Sequence, residues 1–192
     1  LQMGTSHELG QNFARAFEVR YQSQEGKEEY VWNTSWGVST RLVGGLIMTH
    51  GDDDGLVLPP LVAPTQVIIV PIIRSEQDAE AIHAYCDELQ KQITRKKLKG
   101  RKLRAAVDKR DVNGGEKKWY HIKRGVPVRV EVGIKELKQN MVSYSCRNDS
   151  KRLVEADIGA FVKDLPKILQ TLQKDMLEGA RAKLSDNTHA VT

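Results

Sequence analysis

The chain has 192 residues, 40% of them hydrophobic and 29% charged, which is apolar enough to bury a core and excludes disorder as the whole answer. Its net charge of +5 is unevenly spread, because residues 1–60 hold 4 Lys+Arg against 8 Asp+Glu and the cationic excess therefore lies in residues 61–192. That asymmetry favours two domains over the single one suggested by length alone.

Cys86 and Cys146 stand far apart without paired spacing, so neither a disulfide framework nor a zinc site is expected from cysteine alone, and a reducing compartment is. The longest apolar run, residues 67–73, is strand-sized and broken by Pro71, well short of the roughly 18 residues that a membrane helix needs. Residues 1–5 lack the basic region and apolar core of a signal peptide. The expectation is a soluble, cytoplasmic protein with no membrane partner.

In chain order, Leu9, Phe13, Ala14, Ala16 and Phe17 predict a short helix over 8–18, and residues 19–22 and 29–34 predict a strand pair around Gly26. Residues 38–48 read as a helix opened by a hydroxyl cap, with Gly44 and Gly45 where another backbone comes close. His50-Gly51-Asp52-Asp53-Asp54-Gly55 ends it as a polar turn; its carboxylates lack the regular ligand spacing of a calcium loop, and no metal site is expected there. A buried strand is predicted at 56–58, followed by a linker punctuated by Pro59, Pro60 and Pro64.

The domain boundary is placed in that linker: residues 1–64 form the first domain, 65–160 an α/β second, and 161–192 a C-terminal helix. Within the second, strands are predicted at 66–72, 103–107, 128–132 and 141–146, with a helix at 75–97 whose apolar face includes Ile82, Cys86, Leu89 and Ile93. Phe161, Leu165, Ile168, Leu169, Leu172, Met176 and Leu177 recur at helical spacing. The fold class is α/β, α+β overall.

Residues 95–135 hold 15 Lys+Arg against 4 Asp+Glu, interleaved with Trp119, Tyr120 and His121. Cations for phosphates and rings for unstacked bases suit RNA; the alternative is a solvated basic surface. Arg41, just inside a helix start, suits an anion clamp, or equally a surface ion pair. His7 suits a pocket donor or general base, or a capping role.

Three stretches, Thr5-Ser6-His7-Glu8-Leu9-Gly10-Gln11-Asn12-Phe13, Thr34-Ser35-Trp36-Gly37-Val38-Ser39-Thr40-Arg41 and His50-Gly51-Asp52-Asp53-Asp54-Gly55-Leu56-Val57-Leu58-Pro59-Pro60, together resemble prolyl-tRNA synthetases of the form common to archaea, eukaryotes and some bacteria. Gly125-Val126-Pro127-Val128-Arg129-Val130-Glu131-Val132-Gly133 resembles the same family's anticodon-binding domain more loosely. The segment 186–189 resembles the stretch before the family's small C-terminal domain.

The resemblance implies the end of an antiparallel class II catalytic domain followed by an α/β anticodon-binding domain with a mainly mixed sheet and a C-terminal helix. It implies activation of proline with ATP and magnesium to prolyl-adenylate, transfer to proline tRNA, and a homodimer. On it Arg41 is the catalytic arginine of the third class motif; Gln2, Thr5 and Ser39 join it in binding ATP; and His7, Ser35, Trp36 and Gly37 bind proline. The family's first two class motifs are not represented, so the chain alone is expected to be an inactive fragment. Lys135 and Glu136 match the family's cation and acidic reader of guanine, Lys151 matches a further basic contact, and Lys117 and Lys118 belong to the expected phosphate-binding face. His121 and Ile122 stand where the family usually shows tryptophan and glutamate. The rival reading is a stand-alone RNA-binding or regulatory protein derived from a synthetase.

Overall fold

The structure, a computed structural model, describes residues 1–189. It divides into two compact units, Leu1–Thr49 and the chain from His50 onward. In the first, β1 (Gly4–Gly10) pairs antiparallel with β4 (Asn33–Val38), setting Thr5 opposite Gly37 and His7 opposite Ser35. Between them come α1 (Asn12–Ala16) and a hairpin of β2 (Arg20–Gln22) and β3 (Glu28–Tyr30). The hairpin turns through Gly26 at φ 75°, a left-handed conformation that glycine adopts without a Cβ clash.

The helix expected over 8–18 is thus a strand end and one short helix, and the strand expected over 29–34 is split between β3 and β4. β1 gave no apolar alternation because most of it is exposed. Helix α2 (Arg41–His50) begins later than expected, with the Ser39 Oγ accepting the Arg41 N–H at 3.3 Å. What crowds Gly45 is the Met3 side chain rather than a backbone: a Cβ there would collide with Met3 Cε, whereas Gly44 faces open space.

The second unit is built on β5 (Val67–Pro71), every residue of which is buried. The chain continues through α3 (Glu76–Arg95), a tight hairpin of β6 (Lys97–Leu98) and β7 (Arg101–Lys102), β8 (Ala105–Val107), α4 (Gly114–Lys123) and β9 (Val128–Val132). It ends with α5 (Ile134–Gln139), β10 (Met141–Cys146), a 3-10 turn at Arg147–Asp149, β11 (Val154–Asp157) and α6 (Ile158–Asp186). The sheet order is β11-β10-β9-β5-β8; β5 runs parallel to β8 and β9, and the other pairings are antiparallel. This is the mixed α/β sheet with a C-terminal helix that the sequence implied.

Strand alternation gives the sheet two unlike faces. Val67, Ile69, Val128, Val130, Val132 and Val142 pack into one core with Ile82, Cys86, Leu89 and Ile93 of α3 and Phe161, Val162, Leu165 and Leu169 of α6. Their neighbours Ile68, Arg129, Glu131, Ser143 and Ser145 point to the other face. Helix α3 starts on Ser75, whose Oγ accepts the Gln77 N–H, with Glu76 and Asp78 favourably placed in the first turn. Among the described residues no helix is long and apolar enough to cross a membrane.

The division at Thr49/His50 differs from the boundary expected at residues 64/65, because residues 50–66 are bonded into the second unit. The strand expected at 56–58 is an irregular strap: Leu56 N–H donates to Lys123 O and Leu58 N–H to Gly125 O. Arg104 donates to the carbonyls of Ala63 and Pro64, and the Gln66 Nε2 to Pro60 O. Likewise α6 begins at Ile158 and is part of the core rather than a separate C-terminal segment.

Near the start of the segment 50–66, Asp52 grips Arg147 through two bonds, Nη1 to Oδ2 at 2.8 Å and Nη2 to Oδ1 at 2.6 Å, while Arg147 Nε donates to Ile122 O. The Arg147 side chain is 2% exposed, and its guanidinium holds the Asp52 carboxyl below the usual carboxylate range. Asp52→Asn should therefore cost about 1–3 kcal/mol at pH 7 by leaving a buried guanidinium without its counter-charge. Because Asp52 is depressed when folded, its stabilisation is complete above the ordinary carboxylate pKa and is lost as pH falls through the folded value. Urea midpoints from pH 7 down to 3 should show the gap between native protein and variant closing.

Candidate functional site

In the first unit, the turn from β4 into α2 lies beside the chain entering β1. Gln2, Thr5, Ser39 and Arg41, the four residues expected to bind ATP, line one cleft of about 250 Å³. Arg41 is the first residue of α2, at the positive end of the helix dipole, and its Nη1 donates to Gln2 O at 3.3 Å. A Cβ on Gly37 would approach Thr5 Oγ1 to 2.9 Å, so glycine keeps the wall of the cleft thin.

The expected proline-binding residues are not all brought together. His7, Ser35 and Gly37 share the Thr5 face of the β1–β4 ribbon, whereas the pleat turns Trp36 and its partner Ser6 to the opposite face. Trp36 is 81% exposed. For the magnesium ion implied by the resemblance, the cleft lining contains no carboxylate, and among the described residues no three His, Cys, Asp or Glu side chains gather. These residues do not fit a magnesium site by themselves.

In the second unit, a crevice of about 300 Å³ opens where β5 and β9 end, lined among others by Arg74, Asp78, Glu131, Lys135, Glu136 and Ser143. Carboxyl ends of adjacent parallel strands are the usual place for ligands in α/β sheets. Glu136 Oε2 accepts the Gly133 N–H at 2.9 Å and Oε1 accepts the Ser143 hydroxyl at 3.0 Å. Burial pushes the Glu136 carboxyl up, but hydrogen bonds from its own backbone, Gly133 and Ser143, with Lys135 beside it, outweigh this and hold it below its ordinary value. It is therefore an ionised acceptor at neutral pH. Lys135 is paired with Glu155, and Lys151 is exposed on the turn between β10 and β11.

The basic stretch 95–135 does not make one cationic face. Lys117 is 5% exposed, inside α4, so the phosphate contact expected of it is ruled out by burial. Lys118 stands 3.9 Å from Glu131, which also accepts from Arg129 at 3.0 Å. Lys109 pairs with Asp87 and Arg110 with Asp108. The cations without a carboxylate neighbour among the described residues include Lys97, Lys99, Arg101 and Lys102 of the β6–β7 hairpin, all exposed.

Beside α4 lies an arrangement that sequence reasoning missed. Arg110 and Arg124 place their guanidiniums 3.7 and 3.5 Å from the centroid of the Tyr120 ring. Asp108, nearly buried, accepts from Arg110 through both oxygens and is 2.8 Å from His121 Nε2. Arg110 and His121, working against burial, hold Asp108 well below the carboxylate range. Burial holds His121 below its own ordinary value in spite of Asp108. The signal available in sequence was the helical spacing of Tyr120 and Arg124.

Residues 66–168 match the model of a known family described as an anticodon binding domain. The chain belongs to the anticodon binding domain family. Over its whole length it is also 47% identical to a proline–tRNA ligase of Rhodopirellula baltica and 45% identical to one of Bdellovibrio bacteriovorus. It is 41% identical over 95% of its length to a proline–tRNA ligase of Akkermansia muciniphila. The resemblance to prolyl-tRNA synthetases read from the motifs is thereby borne out. The chain spans 38%, 39% and 36% of these three relatives.

The family match covers β5, β9 and the crevice between their ends, where Glu136 serves the fold as well as any ligand. Glu136→Ala should lose the acceptor for the Gly133 N–H and cost about 0.5–2 kcal/mol; Glu136→Gln, which keeps one oxygen acceptor, should cost less. Denaturant midpoints of the two variants check this order.

Proposed function

We propose that this chain is part of a proline–tRNA ligase. In this reading the second unit holds the anticodon loop of proline tRNA, and the first contributes to the site where proline and ATP react. The proline carboxylate attacks the α-phosphate, forming prolyl-adenylate and releasing pyrophosphate, and the prolyl group then passes to the terminal adenosine of the tRNA. ATP, proline, proline tRNA and a second copy of the chain are the partners.

The observation that carries the reading is the crevice at the ends of β5 and β9, in which Lys135 and the ionised Glu136 adjoin within a stretch matched to the anticodon binding domain. A carboxylate accepting from the N1–H and N2–H of guanine, with a cation nearby, reads a base edge, while Lys151 serves phosphate. In the first unit, Arg41 at the start of α2 offers forked donors where negative charge builds as pyrophosphate departs. Gln2, Thr5 and Ser39 share that cleft, and His7, Ser35 and Gly37 form the adjoining wall for proline.

A cleft of about 250 Å³ is smaller than ordinary ligand pockets of about 300–1,000 Å³, so it encloses only part of ATP. The exposed Phe17, Trp32, Trp36 and Met48 fit a unit that packs against further polypeptide in proteins as long as the relatives.

Titrating the chain with the proline anticodon stem-loop and guanine-substituted loops at several salt concentrations tests the RNA half. Lys151→Gln should lower the salt slope by about 0.7–0.9, and Lys117→Met, being buried, should leave it unchanged. Glu136→Gln should keep the slope and cost about 1–3 kcal/mol of guanine preference. Equal affinity for every loop, unmoved by Glu136→Gln, would leave only a nonspecific basic surface. For the catalytic half, Arg41→Ala in a relative-length enzyme should slow proline-dependent exchange of pyrophosphate into ATP about a hundredfold or more. The 192-residue chain alone should show no exchange; unchanged kinetics in the variant would sink the assignment.

A further inference from the structure

A cavity of about 680 Å³ lies alongside α4, separate in every lining residue from the crevice at the ends of β5 and β9. Its walls are largely apolar, with Leu58, Pro64, Ile68, Val107 and Val126 among them. Around them stand the Asp108, Arg110, Tyr120, His121 and Arg124 side chains. Apolar walls with a few fixed polar groups are the usual makeup of a small-molecule site.

The polar groups are not equivalent. Both Asp108 oxygens are engaged by Arg110, and one of them also by His121, so neither Asp108 nor Arg110 offers much to a ligand. Arg124 is different: its guanidinium rests on the Tyr120 ring and has no carboxylate or hydrogen-bond acceptor among the described residues. Stacking fixes the plane of the fork while leaving its N–H donors free, a pre-organised receptor for phosphate. A neutral imidazole with a carboxylate at Nε2 carries its proton there, which leaves Nδ1 of His121 as an acceptor.

We propose that this cavity binds a nucleoside monophosphate, with the phosphate on Arg124, the base against the apolar wall and an exocyclic amino group directed to His121 Nδ1. A phosphate alone would leave the apolar wall unused, and an apolar ligand alone would leave Arg124 unanswered. The nucleotide can come from either of two sources, as one residue of an RNA strand or as a free mononucleotide, and both present the same chemistry. This inference stands on a different cavity from the anticodon reading and does not depend on it.

The probe is AMP, with adenosine as the phosphate-free comparison, measured by equilibrium dialysis on the whole chain. AMP should bind with a Kd of about 1 mM or tighter, and adenosine more weakly. Arg124→Gln should weaken AMP about tenfold or more through loss of a charge-assisted fork, while Lys123→Gln, the same charge change on the exposed neighbouring residue, should shift it less than about twofold. Ala106→Phe, which fills the cavity without changing charge, should abolish binding; it keeps the test decisive if Arg124→Gln folds poorly by circular dichroism. Displacement of AMP by a short adenosine oligoribonucleotide, with the same Arg124 dependence, assigns the site to RNA; binding of AMP undisturbed by the oligonucleotide assigns it to the free mononucleotide. No AMP binding at that concentration, or equal loss in the Arg124 and Lys123 variants, overturns the proposal. Lys135→Gln should change stem-loop binding and leave AMP untouched, which separates failure here from failure of the anticodon reading.

Discussion

β5 hydrogen-bonds in parallel to a strand on each side and is buried on both faces. A strand so placed must be apolar throughout, and Val67-Ile68-Ile69-Val70-Pro71 is. Parallel pairing forbids a tight hairpin between partners, so the chain must leave the sheet at the same end after β5 and after β9 and turn into a helix each time. The consequence is chemical. Arg74 and Asp78, which follow β5, meet Lys135 and Glu136, which follow β9, although some sixty residues separate them in sequence. The pairing of buried strands delivers these four to one place.

The sheet's second face shows how differently charge behaves once folded. Arg129 and Arg147 are almost wholly buried, and each has its acceptors: Glu131 and a Ser150 carbonyl for the first, Asp52 and an Ile122 carbonyl for the second. An unpaired guanidinium would be expelled from such a place by the cost of desolvation. Much of the cationic excess of residues 95–135 is thus neutralised internally or turned inward, and the exposed remainder includes a run on the β6–β7 hairpin. Composition counts charges; it does not say which of them still have a field to offer.

What could be read in advance follows from this contrast. β9 and β10 were legible residue for residue, β9 from its alternating valines ahead of Gly133 and β10 from Val142, Tyr144 and Cys146 alternating with serines after Asn140, and α3 and α6 were legible from their apolar period. α4 was not: it buries only Ile122 and, against expectation, Lys117, so it carries no apolar stripe. β1 was missed for the same reason, being exposed along most of its length. The cleft containing Gln2, Thr5, Ser39 and Arg41 came from motif resemblance, since nothing periodic links positions so far apart. The stacking of Arg110 and Arg124 on Tyr120 needed the fold, because Arg110 comes from the loop after β8.

The strap of residues 50–58 meets the end of α4 along a seam without side chains. A Cβ on Gly55 would stand 2.7 Å from Lys123 O, and one on Gly125 2.5 Å from Leu56 O; both glycines also have positive φ. Two backbones held this closely, with Arg147 clamped to Asp52 beside them, do not need the covalent link through the proline stretch to stay together. A protease that cuts at the exposed Leu61 or Val62 would leave a nicked second unit whose strap remains docked under native conditions and comes away only in denaturant. In that sense the domain begins where its backbone is gripped, several residues before the prolines that look like its edge.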